Sequence, residues 1–289
     1  MTSVIASLEK LPSETDFYDI YWNKKPFIVK GAIGAKIFAN LINADQLAGL
    51  SLDDDIRSRI VKKGQGAEDW TCVHGPFDED VFSTIGEENW SLLVQDVEKN
   101  HPPTAEILMG FDFSPRWLID DVMVSYSTVG GGVGPHIDSY HVFLIQGEGT
   151  RRWKIGGQAI TKENYVENLD LKILKDPFIG DDFEVTQGDV IYIPPYFPHQ
   201  GETLTNALTY SVGFLGPSLA ELMTEYGHYL EQQDAINIRY DGNQLDVRSA
   251  GMHMADNEVD HFRRQLSDTL NSEHFEKWLR GYFSNSEDD

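Results

Sequence analysis

From about residue 119 the chain alternates apolar and polar positions, and it keeps doing so to about residue 214. "VMVSYSTV", "HIDSYHVFLIQ" and "TRRWKIG" each place side chains on two faces with a period of two, as half-buried strands do. "FEVTQGDVIYIPP" reads as two short strands around a Gln-Gly-Asp turn. "HQGETLTNALTYSVGF" reads as a strand, a turn at Thr205-Asn206 and a last strand. Short strands spaced by turns, with few helices among them, predict a mainly β fold. A double-sheet jelly roll, cupin-like, with its core over about 105–216 fits best.

The flanks carry a different period. Residues 1 to about 105 read as mixed and mostly helical. "FYDIYWNKKPFIVKGAI" gives an amphipathic helical turn and then a short strand, and "NADQLAGLSL" gives a helix capped at Asn43. "GEENWSLLVQDVEKN" predicts another helix, ended by His101-Pro102-Pro103. After Pro217 the pattern is helical again. "SLAELMTEYGHYLEQ" opens with Ser218 and Glu221 in capping-box spacing, and "DNEVDHFRRQLSDTL" and "SEHFEKWLRGYF" follow with aromatic and leucine stripes. The expected division is a domain over 1–216 and a helical region over 217–289.

Two of these predicted strands carry candidate chemistry. His136 and Asp138 stand two apart in "GPHIDSY", so a strand there would place both on one face. His199 follows the proline-rich turn of "GDVIYIPPYFPHQ", 63 positions after His136, and a jelly roll can make two such strands neighbours. Two imidazoles and one carboxylate form the facial triad of non-haem Fe(II) oxygenases, which leaves positions for an organic acid and O2. In "TRRWKI", alternation puts Arg151 on the side of Trp153 and Ile155, hence inward. A buried guanidinium needs an anionic partner; a bidentate carboxylate would serve, and so would a structural ion pair.

Composition narrows the options. The single cysteine, Cys72, excludes an internal disulfide and a cysteine-rich zinc site, and suits a reducing cytosol. No window reaches the roughly 18 apolar residues of a membrane span, and the N-terminus lacks a secretion signal. A net charge of −24 disfavours direct binding of DNA or RNA; it would attract a basic partner, and it also fits simple solubility.

The stretches "YWNKKPFIVKG", "GPFDED", "NWSLLVQDVE", "IDDVMVSYSTVGGGVGPHIDSYHVFLIQGEGTRRWKIG", "GDVIYIPPYFPHQGE" and "NALTYSVGF" together resemble the JmjC-type ribosomal oxygenases. The likeness is to their bacterial branch, which hydroxylates an arginine of large-subunit ribosomal protein sixteen, and it runs from about residue 16 to 283. It implies Fe(II) at His136, Asp138 and His199, with 2-oxoglutarate held by Arg151 and by the hydroxyl of Ser127. It also implies O2 as oxidant, a basic ribosomal protein as substrate with the hydroxyl placed on an arginine β-carbon, and a cytoplasmic homodimer formed through the helices after the jelly roll. The family ordinarily continues into a small winged-helix-like domain; the sequence ends at Asp289, so that domain is expected to be absent from this chain. The same oxidative chemistry would also suit removal of N-methyl groups from lysine or arginine, and a cupin-like binding protein without turnover is the reading from another class.

Other residues read more plainly. His141 falls on the face opposite His136 and is expected to be structural. His274 and Glu276 lie in a predicted helix, where residues two apart do not share a face. Cys72 and His74 lack a further ligand pair and are expected to pack in the core, and Trp117, Trp153 and Trp278 are expected there too. The Gly130–Gly134 run reads as a flexible lip over the site. Tyr126, Tyr140 and Gln146 fit either a substrate channel or packing.

Overall fold

The computed structural model describes residues 5–66, 69–111, 113–160, 164–167, 169–233, 236–240 and 254–284. The chain divides into two compact units, Met1–Leu215 and Gly216–Asp289. The first contains the strands β1 (Ala6–Leu8), β2 (Phe27–Val29), β3 (Ser58–Lys63), β4 (Trp70–His74), β5 (Trp90–Val94) and β6 (Ile119–Ser127). It continues with β7 (His141–Glu148), β8 (Arg151–Gly156), β9 (Gly180–Val185), β10 (Val190–Ile193), β11 (His199–Thr203) and β12 (Ala207–Phe214). Nine strands form one sheet in the order β1-β2-β10-β7-β12-β6-β5-β3-β4, and β11-β8-β9 form a second. This is the expected mainly β, double-sheet jelly roll, followed by helices at the C-terminal end.

Strand β7 shows how the layers are held. Val142 and Leu144 pack with Trp153, Ile155 and Val185 of the small sheet. Their alternates Phe143 and Ile145 pack with Phe17, Leu41, Ile107 and Phe111 of the helical flank. The large sheet is therefore covered on both faces, and β12 is buried along its whole length. Each large apolar side chain so enclosed contributes about 1.5–3 kcal/mol. Tyr210, wholly inside, keeps its hydroxyl satisfied by donating to Ile42 O at 2.9 Å.

The N-terminal flank departs from its helical expectation. It holds β1 to β5, and the stretch expected as one helix is β5 followed by the single-turn helix Val97–Asn100. All five residues of β5 are buried, and the strand pairs with β3 on one side and β6 on the other. Strand pairing on both edges overrides the helical spacing of its leucines. The helix at Ala44–Leu50 does form, with Asn43 and Gln46 exchanging both capping hydrogen bonds.

The second unit contains the helices Leu219–Glu231, Asp256–Leu270 and Glu273–Ser284. Ser218 and Glu221 complete the capping box of the first. Tyr226 packs at 4.8 Å from both Phe275 and Trp278. No helix among the described residues is long and apolar enough to cross a membrane.

His141, the first residue of β7, is structural, as expected. Its ring stacks on Trp22 at 3.5 Å, and its Nδ1 lies 2.7 Å from the Tyr192 hydroxyl. Burial lowers its imidazole to about 4. The unfolded chain takes up this proton below about pH 6.5, and the folded chain only near pH 4. The stability this neutral ring confers is therefore complete above pH 6.5 and lost as the pH falls towards 4. Denaturant titrations across that window should show a shallower loss for His141→Gln, with the difference on the order of 2 kcal/mol.

Candidate metal and cosubstrate site

Gly134 has a φ of +77°, which favours glycine, and its absent Cβ leaves room for Ile173. Immediately after it, His136 and His199 form an isolated antiparallel bridge, exchanging backbone hydrogen bonds of 3.0 and 2.9 Å. Tyr196 N donates to Asp138 O at 2.7 Å. The continuous strand expected through "HIDSY" does not form. β7 starts at His141, and Asp138 sits in irregular backbone held to the turn before β11. What aligns His136 with Asp138 is this stitching, not strand alternation.

The side chains converge. The Asp138 Oδ2 lies 4.0 Å from His136 Nε2 and 3.4 Å from His199 Nε2. One donor atom from each of the three lies within 4.8 Å of the others. His136 Nδ1 is 2.9 Å from Gly134 O, and His199 Nδ1 is 2.9 Å from Phe197 O. A carbonyl only accepts, so each Nδ1 carries the proton and each Nε2 presents a lone pair to the centre. Burial, and then the neighbouring His199, lower the His136 imidazole to about 4, so it is neutral at pH 7. Burial opposes ionisation of Asp138. The nearby His199 and His136 rings outweigh it, and the carboxyl ends below its usual range. Two imidazoles and a carboxylate aimed at one point suit a divalent transition metal, and the nitrogen and oxygen donors suit Fe(II).

Beside this triad lies Arg151, fully inside the small sheet as alternation predicts, with Arg152 exposed. Its guanidinium stacks over Trp153 at 4.8 Å and donates from NH1 to Thr209 Oγ1 at 3.3 Å. No carboxylate of the described residues pairs with it, and its buried Nε lacks a hydrogen-bond partner. Burial lowers it to about 10, so it stays charged at neutral pH. Gly201 leaves it space: a Cβ there would lie 2.7 Å from the NH2 and 2.9 Å from the Trp153 ring. A charged, orphaned guanidinium in a cradle fits the carboxylate of a small organic acid.

Both groups open into one cavity of about 630 Å³. The large sheet supplies its floor through alternate residues: Thr209 and Ser211 of β12, Met123, Ser125 and Ser127 of β6, Ser91 and Leu93 of β5. Ser127 donates to Ser91 Oγ at 2.7 Å, so the pair shares its protons and keeps one to offer the cavity. Tyr140 lines the cavity, whereas Tyr126 packs on Trp90 and Gln146 lies buried behind Thr209. A second cavity, of about 620 Å³ against the helical flank, is lined by apolar residues and by Glu14 and Glu106, with no such convergence of donors.

Several expectations change. The glycine run is not a loose lip: Gly130 N donates to Thr203 O and Thr203 N to Gly131 O, at 2.8 and 3.0 Å. Trp117 is 39% exposed rather than in the core, because it lies in a short turn before β6. Cys72 and His74 are not in the core: Cys72 is half-buried and His74 exposed, because the His74 Nε2 meets Asp170 at 2.6 Å and ties a cavity-lining loop to β4. Ser91, Thr209 and Gly201 were not singled out from sequence. The signal for Ser91 was a lone hydroxyl inside the apolar run "WSLLV", hidden by reading that run as helix.

A JmjC domain model matches residues 106–222. The ribosomal protein uL16 3-hydroxylase of Escherichia coli is 39% identical over 273 residues, covering 94% of this chain and 71% of its own length. A probable ribosomal oxygenase of Haemophilus influenzae is 34% identical over 206 residues, covering 70% of this chain and 50% of its own. Among solved structures, the E. coli ribosomal oxygenase YcfD in complex with cobalt and 2-oxoglutarate aligns with a TM-score of 0.77 at 37% identity, over 94% of this chain and 71% of that one.

Gly201→Ala tests the cradle. Calorimetry should show affinity for 2-oxoglutarate falling about tenfold or more, the scale of one weakened charged hydrogen bond. Affinity for Mn(II) should hold within about threefold, because the triad is untouched.

Proposed function

The chain belongs to the JmjC family of ribosomal oxygenases, and on that premise we propose that it is an Fe(II)- and 2-oxoglutarate-dependent hydroxylase of a large-subunit ribosomal protein, acting on an arginine β-carbon. The observation that carries this reading is the opening of the His136–Asp138–His199 triad and the orphaned Arg151 into one cavity. His136, Asp138 and His199 would hold the metal, and Arg151 the distal carboxylate of 2-oxoglutarate, with Ser127 and Ser91 offering a hydroxyl to the same group. Bound there, Fe(II) with 2-oxoglutarate and O2 supplies oxidative decarboxylation coupled to insertion of one oxygen atom into a C–H bond.

The chain's own part is orientation and charge. The carbonyls of Gly134 and Phe197 fix the two imidazole tautomers, so neither ring must shed a proton when it ligates. Trp153 and Thr209 hold the guanidinium plane from below and from one side, which leaves its other edge for a carboxylate. Leu93, Met123, Val142 and Leu144 line the cavity with apolar surface and limit water near the reacting carbon.

We also keep the division into a catalytic part over 1–216 and a helical homodimerisation part over 217–289, in a cytoplasmic setting. Support for the dimer is the apolar surface on those helices, where Leu219 is 75% and Leu266 55% exposed.

Incubated with a basic ribosomal protein, Fe(II), 2-oxoglutarate and air, the protein should form succinate and raise the substrate's mass by one oxygen. Loss of a methyl mass instead would assign demethylation, and absence of both would leave a binding protein. His136→Ala should abolish turnover. Since the chain carries a net charge of −24, the KM for a basic substrate should rise steeply with salt up to about 0.15 M, where the screening length is near 8 Å. Turnover that ignores ionic strength would count against steering.

A further inference from the structure

Resting on the reading that Arg151 holds a carboxylate of 2-oxoglutarate, we propose that Gln146 is a positioning residue for this cosubstrate, acting through Thr209. The hydrogen bonds that link the three have only one permitted direction. Gln146 is 2% exposed, and its Nε2 donates to Glu148 O at 2.6 Å and to Leu208 O at 3.3 Å. Carbonyl oxygens accept only, so the amide nitrogen must face them and Oε1 must face away. Oε1 meets the Thr209 hydroxyl at 3.2 Å. Since Oε1 cannot donate, the single proton of Thr209 is committed to it. The Thr209 oxygen is left with lone pairs, and one of them accepts Arg151 NH1 at 3.3 Å.

An irregularity of the sheet makes this possible. Along the β12–β7 ladder, Leu208 pairs with Glu148 and Thr209 with Gln146, so the register slips by one residue at Gly147. The slip places Leu208 O within reach of the Gln146 amide and sets Thr209 opposite Gln146. A side chain at Gly147 would put its Cβ 2.3 Å from the Tyr210 ring.

Gln146 and Thr209 belong to the large sheet and Arg151 to the small one, so the chain of bonds joins the layers at the cosubstrate end of the cavity. It keeps the Thr209 proton away from the guanidinium and pins one arm. The unpartnered Nε and the remaining nitrogens are left to meet a carboxylate as a bidentate pair. Without the acceptor at 146, the Thr209 hydroxyl rotates freely and the guanidinium is steadied by Trp153 alone.

The test uses the full chain loaded with Mn(II), without O2 for binding, and Fe(II) with O2 for turnover. Gln146→Leu should raise the calorimetric Kd and the KM for 2-oxoglutarate about tenfold, while the KM for the protein substrate stays within about twofold. Thr209→Val should give a loss of the same size, Thr209→Ser should keep wild-type affinity, and the Gln146→Leu/Thr209→Val pair should be no worse than either alone. If leucine at 146 prevents folding, Gln146→Asn keeps the amide but withdraws its oxygen by one methylene, and should show the same tenfold loss. Wild-type affinity in a folded Gln146 variant, or losses that simply multiply in the pair, would overturn the proposal. Failure of the unmodified protein to bind 2-oxoglutarate would instead overturn the reading of the site on which it rests.

Discussion

Three electron-rich atoms pointing at one spot repel one another unless a cation lies between them, and the fold is arranged to keep them there. The two imidazoles donate their Nδ1–H groups to backbone carbonyls, and Asp138 is held ionised. Left to themselves the side chains would turn apart. They are prevented by the backbone bridge between His136 and His199 and by the bond from Tyr196 N to Asp138 O. The site is thus fixed at the level of the main chain, where departures are costly, rather than by side-chain packing alone.

The rest of the architecture supports that bridge. β11 continues from His199 into the small sheet, pairing with β8 so that Ile155 lies opposite His199 and Arg151 opposite Thr203. One ladder therefore sets the distance between the metal ligands and the guanidinium. The large sheet is held against it by the shared core of β7, β8 and β10, and on its far face by the helical flank. Rigidity behind the cavity lets a handful of side chains be held in place with few hydrogen bonds.

Much of this could be read from the residues. Alternation in "TRRWKI" put Arg151 inside and Arg152 outside, and turn spacing gave the strands of the jelly roll from β6 onward. The residues His136, Asp138 and His199 were marked by type and spacing, but the reason offered for the first two, a common strand face, was not the operative one. β5 was lost because a strand buried on both faces has no polar alternates, and its five-residue run fits a helix equally well. With it went Ser91. Thr209 and Gly201 matter through what they touch across the sheets, and such pairings, between residues 58 and 50 positions from Arg151, leave no local trace.

Trp153 lies between the guanidinium of Arg151 and the imidazole of His199, whose ring centre is 6.1 Å away, and its own N–H has no partner among the described residues. An indole so placed is a native fluorophore at the junction of the two ligand positions. Its emission, separated from that of the other five tryptophans by comparison with Trp153→Phe, would respond to a paramagnetic ion on one side and to neutralisation of the cation on the other, so the order in which metal and acid arrive is optically accessible without any label.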